Sequence, residues 1–311
     1  LYLQNTTLAG FALENALHGY AVCLENSVAS NCVVRNCIGY LFHSAAPVAI
    51  AKYSKLYNCV VTNNYVCGGN QYGQWNFGNI AVRGGSMITN CVVSRNYSGG
   101  FGGAIASEAS GSSLKVYDSE IADNVTGVTV TVDPDTCDIS VTGADPSSYA
   151  GTPSGLVYQG AYYRCNISGN RADGTTATAA CGGAYKVYLY DCLVADNVSK
   201  EVGEGGANAC TIVGCTIANN IGAAGGMKDG TAKNSIIWGN FSTNDNCTAV
   251  SNYTGTAISY SCTYPAVADV NSISKDPKFY GRDTGTARTY SLGPSSPCID
   301  LGNDALVVSD Y

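Results

Sequence analysis

"TNCVVSRN", Thr89–Asn96, and "YDCLVADN", Tyr190–Asn197, share one frame: Cys, two apolar residues, two variable residues, then Asn. The frame returns about every 27 residues, a period that belongs to repeat architectures. Its first position is occupied by Cys32, Cys59, Cys91, Cys165, Cys192 and Cys215. Ser119 in "YDSEIADN" and Ser235 in "KNSIIWGN" take the same place, and Thr6 in "LQNTTLAG" is assigned there too. Five positions on, Asn64, Asn96, Asn124, Asn170, Asn197, Asn220 and Asn240 form a second column. Three residues before each Asn stands a β-branched residue: Val61, Val93, Ile121, Ile167, Val194, Ile217 and Ile237. A Gly-Gly signal follows: "GGAI" at Gly102–Ile105, "GGAY" at Gly182–Tyr185, "GGAN" at Gly205–Asn208 and "GGM" at Gly225–Met227.

The frame alternates with period two, is rich in Val and Ile, and is punctuated by Gly and Asn, so it codes strands rather than helices. Short strands and turns in a repeat of this length predict an all-β fold, a right-handed parallel β-helix. Three strands per repeat are expected, in about nine coils spaced about 4.8 Å apart. In-register stacking would place equivalent side chains above one another. Stacked Asn amides can bond along the rod, because each carries donors and acceptors. An Asn at a bend also tolerates the left-handed backbone region. Cys or Ser two residues before the β-branched position has the same parity and is expected inside, as a stack of small buried thiols. Disulfides between neighbouring coils are the alternative, although parallel stacked side chains suit that bond poorly. The Gly pairs permit positive φ or a close backbone approach.

Composition agrees with an extended β structure and narrows function. Of 311 residues only 13% are charged, about half the usual share. The net charge is −7 and no basic block occurs, which argues against a nucleic-acid partner. Tyr is enriched at 22 residues, a side chain with an apolar body and a polar tip that suits half-wet contact surfaces. No apolar run is long enough to span a membrane. The text opens in strand-like "LYLQNTTLAG" without a leader, which suggests an excised or mature segment. The fifteen Cys are an odd number; besides the column, Cys247 and Cys262 are placed to pair across a polar stretch, and Cys67, Cys137 and Cys298 fall in loops or the tail.

The alternation of "VSRN", Val93–Asn96, with "GGAI", Gly102–Ile105, and then "IADN", Ile121–Asn124, resembles the repeats of chlamydial-type polymorphic outer membrane proteins. That family's box usually has Phe where this chain has Val or Ile. The tail "DPKFYGRDTGTARTYSLGPSSPCIDLGN", Asp276–Asn303, is similar to the closing segment of bacterial β-helix surface proteins of the choice-of-anchor type. The resemblance implies a β-helix in a cell-surface or secreted setting and implies nothing firm about activity, since fold does not fix function. On this basis residues 1–250 are expected to form the β-helix, with insertions at 65–79 and 128–157. Residues 251–311 are expected to close it in a truncated tail.

Interruptions of a solenoid commonly carry its function. The loop "YVCGGNQYGQWNFGN", Tyr65–Asn79, offers Tyr72, Trp75 and Phe77 as a stacking surface for sugar rings; a self-packed lid is the plainer alternative. "DPDTCD", Asp133–Asp138, offers Asp133, Asp135 and Asp138 to a cation, with a spacing that matches no calcium loop, so a solvated acidic turn is the plainer expectation and no cofactor is assigned. Enzymes on this fold cluster carboxylates on neighbouring coils. Only the column Asp118, Arg164, Asp191 offers this, against a simple charge ladder. Asp123 and Asp196, each before a ladder Asn, are separated by Gly169 in their own column. His18 and His43 have no evident partner. Eight N-x-S/T sequons occur at Asn5, Asn96, Asn124, Asn166, Asn197, Asn240, Asn246 and Asn252. Four of them are ladder residues, so Asn246 and Asn252 are the expected accessible ones.

The expected function is therefore a structural or adhesive segment of a secreted or cell-surface bacterial protein. Its partners would be further copies of itself or neighbouring domains of a longer chain, and a polysaccharide is a further candidate. The alternative is a polysaccharide-cleaving enzyme, either a lyase of the pectate-lyase type or a glycoside hydrolase, or a carbohydrate-binding module.

Overall fold

The computed structural model describes residues 1–17, 21–39, 48–66, 79–82, 84–99, 103–107, 113–133, 136, 138–144, 154–173, 180–200, 203–243, 249–280 and 290–307. The chain winds as a parallel β-helix. Three sheets of 18, 10 and 8 strands run the length of the rod. The 10-stranded sheet holds one strand per coil, from Ala12–Glu14 to Cys262–Thr263. That makes ten coils, one more than the repeat count, because the frame continues past residue 250 at Ser261. Most coils contain four short strands rather than the expected three; in the coils of Ala207–Val213 and Met227–Lys233 one long strand spans the first two places, so three remain. In the second coil the four are Val22–Glu25, Val28–Ser30, Val33–Arg35 and Ile38–Gly39. The first two belong to the one 18-stranded sheet, bent at a corner between them.

Stacking is in register along the 10-stranded sheet, while the 18-stranded sheet carries bulges between Leu24 and Glu25 and between Gly155 and Val157. Val61, for example, pairs with Val34 below and Val93 above, and the series continues through Ile121, Ile167, Val194, Ile217 and Ile237. From Val61 to Ile237 each of these residues is fully buried. A β-branched side chain in that position contributes about 1.5–3 kcal/mol by leaving water, and its stiff χ1 suits the pleat. The column Cys share the interior face, as parity requires: Cys91 and Cys165 are as buried as Val93 and Ile167.

Each corner of the coil has the same local chemistry. One residue adopts the left-handed region, and the next, in most coils small or polar, points inward. In one corner the left-handed residues are Asn63, Arg95, Asp123, Gly169, Asp196, Asn219 and Gly239, with φ between 52° and 67°. The buried Asn follows immediately. The ladder Asn is thus not itself the left-handed residue, as the sequence suggested; its predecessor is. Its role is to close hydrogen bonds that a turning sheet leaves open. The Asn96 side chain accepts from the backbone N–H and the amide of Asn64, and donates to Asn124 Oδ1 and to the Val61 carbonyl, all within 3.1 Å. The ladder runs without a break from Asn64 to Asn252, and Cys37 N–H donates into its lower end.

The Cys/Ser column performs a similar task in the next corner. Cys165 N–H donates to Cys192 Sγ at 3.4 Å, Cys192 N–H to Cys215 Sγ at 3.4 Å, and Cys215 N–H to Ser235 Oγ at 3.1 Å. The thiols donate in turn to the carbonyl two residues back, as Cys192 does to Tyr190 at 3.2 Å. All six column thiols are free in this structure. Thr6 does not belong to this column. It lies in the third corner, where Thr6, Ser27 and Ser54 N–H donate to Ser27, Ser54 and Ser86 Oγ. Phe11 stands at the Cys position of the first coil, accepting from Val33 N–H through its carbonyl.

The Gly-Gly signal marks close approach. A Cβ on Gly206 would lie 2.4 Å from the Gly226 carbonyl oxygen, and one on Gly226 would lie 2.1 Å from that of Asn252. Neither residue has positive φ, so contact rather than backbone freedom selects glycine here. The 128–157 insertion begins as an antiparallel hairpin, Val128–Val132 with Ile139–Ala144, and the chain is back in the large sheet by Ser154–Tyr158. The tail folds back over the outer face of the 10-stranded sheet: Tyr290 packs on Ala195 and Ala218, and Asn303 exchanges two hydrogen bonds with Asn234. No helix among the described residues is long and apolar enough to cross a membrane.

Candidate functional site

Asp118, Arg164 and Asp191 occupy left-handed corner positions, with φ of 49°, 51° and 52°. Asn31, Asn58 and Asn90 hold the same place on earlier coils. Asp and Asn are the non-glycine residues that tolerate this conformation, so the carboxylates have a backbone reason to be there. Directly before them come Tyr117, Tyr163 and Tyr190, in register on three successive coils and turned outward. Their rings stack with centroids 4.8 and 4.9 Å apart and planes within 14°. The result is a ridge in which a Tyr column runs beside a charged column.

An ion pair orders the charged column. Arg164 grips Asp118 with Nε to Oδ1 at 2.6 Å and a second guanidinium N–H to Oδ2 at 2.8 Å. That guanidinium holds the Asp118 carboxyl below the usual carboxylate range. Both side chains remain 40–45% exposed. The Asp191 carboxylate sits over Gly214 of the next coil, in space that a Cβ there would need. Hydrolysis of a glycosidic bond calls for one protonated carboxyl and one carboxylate across the bond, and the Arg164 pairing favours the carboxylate form of Asp118. In the Tyr column the middle ring, Tyr163, is stacked on both faces, and burial pushes the Tyr163 and Tyr190 hydroxyls up. A cavity of about 300 Å³ lies elsewhere, between the tail and the last coils, lined by Cys262, Cys298, Tyr260 and Leu292.

Of the other sites expected from sequence, Tyr72, Trp75 and Phe77 lie outside the described residues, as do Asp135, Cys67, Cys137, Cys247, Asn246, His18 and His43. Asp133 and Asp138 form the neck of the hairpin turn: Asp133 N–H donates to the Asp138 carbonyl, and Asp133 Oδ1 accepts from Thr136 N–H. This is a turn-capping role for Asp133, and among the described residues no three His, Cys, Asp or Glu side chains gather as a cation site. Asn252 is not an accessible sequon; it is 1% exposed and forms the last ladder rung. Asp196 accepts from Tyr290 OH and Asn219, which ties it to the tail.

Two buried carboxylates went unread in the sequence. Asp173, 2% exposed, is held by Arg171 at 2.9 Å and Lys200 at 3.3 Å. Glu204, equally buried, is held by Lys228 at 2.9 Å and Asn208 at 2.7 Å. A carboxylate out of water needs such partners. The signal was available: Asp173 in "NRAD" and Lys200 in "NVSK" stand at the same distance after a ladder Asn, and Asn208 and Lys228 share one register. Among known proteins, no family model and no curated sequence matches the chain.

Proposed function

We propose that the chain is a structural and adhesive segment of a secreted or cell-surface protein, a rigid rod that displays a contact ridge. The observation that carries this is the unbroken ladder. Eight Asn from Asn64 to Asn252 bond coil to coil, so the interior is devoted to continuity along the axis. The outward ridge of Tyr117, Tyr163 and Tyr190 with the Asp118–Arg164 pair supplies the surface, and the sequence resemblance to β-helix surface proteins supports the setting. Exposed Tyr2, Phe11 and Leu17 on the first coil suit the stacking of a further coil, from a longer chain or from another copy.

A glycan and matrix-protein array run alongside a chain-length assay on polysaccharides tests the proposal. Expected is retention on a surface ligand that weakens in Tyr163→Ala, with polysaccharide lengths unchanged. Release of shortened or unsaturated products that stops in Asp118→Asn or Asp191→Asn would replace this function with the enzymatic one. Retention unaffected by Tyr163→Ala would remove the ridge from the adhesive role.

A further inference from the structure

Most cysteines of the chain are interior rungs, but Cys262 is not. It follows Ser261, which holds the column position of the tenth coil, so Cys262 has the opposite parity and faces outward from the 10-stranded sheet, above Ile236. Yet it is only 3% exposed. The tail covers it: Ile273 bridges to it, its thiol donates to the Lys275 carbonyl at 3.1 Å, and Cys298 arrives from the turn that ends the tail. The two thiols lie near enough to shift each other, the Cys262 thiol up and the Cys298 thiol down. The two thiols approach from different chain directions, unlike the column thiols, which lie parallel and serve as acceptors for the N–H of a neighbouring coil. Both line the cavity of about 300 Å³ beneath the tail, and Cys298 is half-buried, within reach of a small reagent. Neither is bonded in this structure.

We propose that Cys262 and Cys298 are a disulfide-forming pair that staples the closing segment to the outer face of the tenth coil. Cys298 is half-buried at the cavity whereas Cys262 is closed off, so Cys298 meets the oxidant and is the attacking thiolate. The oxidant is a small disulfide of the glutathione class. Cys298 thiolate attacks one of its sulfurs, forming a mixed disulfide and releasing one thiolate. Cys262 then loses its proton to that thiolate or to water and attacks Cys298 sulfur, closing the Cys262–Cys298 bond and releasing the second small thiol. Two protein thiols are oxidised and one small disulfide is reduced to two thiols. The column thiols are sealed in the interior and occupied with backbone N–H donors of the neighbouring coil, so they stay out of the exchange.

The test equilibrates the full chain in mixtures of reduced and oxidised glutathione, quenches in acid, alkylates, and maps peptides without reduction. Expected is a linked Cys262–Cys298 peptide pair, two hydrogens lighter than the dithiol, while Cys91, Cys165 and Cys192 remain reduced. In Cys262→Ser, glutathione should persist on Cys298. Because that buried change may unfold the corner, Cys298→Ser serves as the second variant, with the circular dichroism of the native rod. Tryptic cleavage after Lys278 should slow about tenfold on oxidation of the wild type and be indifferent to oxidation in Cys298→Ser. Complete alkylation of both thiols after oxidation, or glutathione stranded on Cys298 of the wild type, would overturn the pair. Equal cleavage rates in both redox states would overturn the staple.

Discussion

Replacing Asn170 by alanine isolates what one rung of the ladder contributes. The Asn170 side chain is fully buried and makes four bonds. Its Oδ1 accepts from Asn124 N–H and Asn124 Nδ2, both at 3.0 Å, and its Nδ2 donates to Ile121 O and Asn197 Oδ1, both at 2.9 Å. The losses are unequal. Asn124 Nδ2 keeps the Val93 carbonyl, and Asn197 Oδ1 keeps Asn170 N–H. The Asn124 backbone N–H keeps nothing. A buried orphaned donor costs about 2 kcal/mol, and each of the other three lost bonds about 0.5–1 kcal/mol, so the change should cost about 4 kcal/mol. In a solenoid that cost falls on the neighbouring coils rather than on a single global transition.

Native-state hydrogen exchange is therefore the suitable assay. The amides of Val125, Arg171 and Val198, which bond to Asn96, Asn124 and Asn170 carbonyls, should exchange about a thousandfold faster in Asn170→Ala. The amide of Tyr65, bonded to Cys37 several coils away, should keep its rate. Acceleration of less than about tenfold at Val125 would correspond to about 1.4 kcal/mol, less than the orphaned N–H alone. That result would show that water or a shifted backbone satisfies Asn124, and the ladder would then be a packing feature and not a hydrogen-bonding one.

The Cys column makes a sharper chemical claim, that sulfur is there as an acceptor. Cys192→Ser should cost no more than about 1 kcal/mol, because Ser119, Ser235 and Ser261 already fill equivalent positions, whereas Cys192→Val leaves Cys165 N–H unpaired and should cost about 1–3 kcal/mol. Urea unfolding of both variants decides it, and equal midpoints would refute the acceptor role. At the ridge, the Asp118 carboxyl should titrate below 3.8 by NMR and move up toward that value in Arg164→Gln. With the folded value depressed, the pair stabilises the protein above the unfolded carboxyl range and loses that contribution as pH falls through the folded value. Exposure limits it to no more than about 1 kcal/mol, so a large acid-labile transition removed by Arg164→Gln would contradict the assignment.

What could be read from the sequence follows from what a coil repeats. Asn64 through Asn240 were legible because every turn of the helix opens the same backbone hydrogen bonds, and an amide at a fixed place closes them. Asn252 meets the same need but comes only 12 residues after Asn240, so a search near the average period passes over it. Thr6 was misplaced for the converse reason. Two corners of the coil demand small hydrogen-bonding residues, and the one-dimensional pattern does not say which corner a Thr serves. Charges separated by one coil behave like neighbours on a helix face, which is why Asp118 and Arg164 could be placed together from their numbers alone. Whether such a pair lines a cleft depends on what lies over it. The contacts that settle this elsewhere on the rod come from the tail, where Tyr290 reaches Asp196 across 94 residues and Asn303 reaches Asn234 across 69. No period announces those contacts. The rungs of this rod answer to backbone demands that any sequence of the fold must meet. Specificity is therefore to be sought where a residue departs from its column, as Arg164 does in a corner that Asn and Asp would satisfy, and as Cys262 does in facing outward.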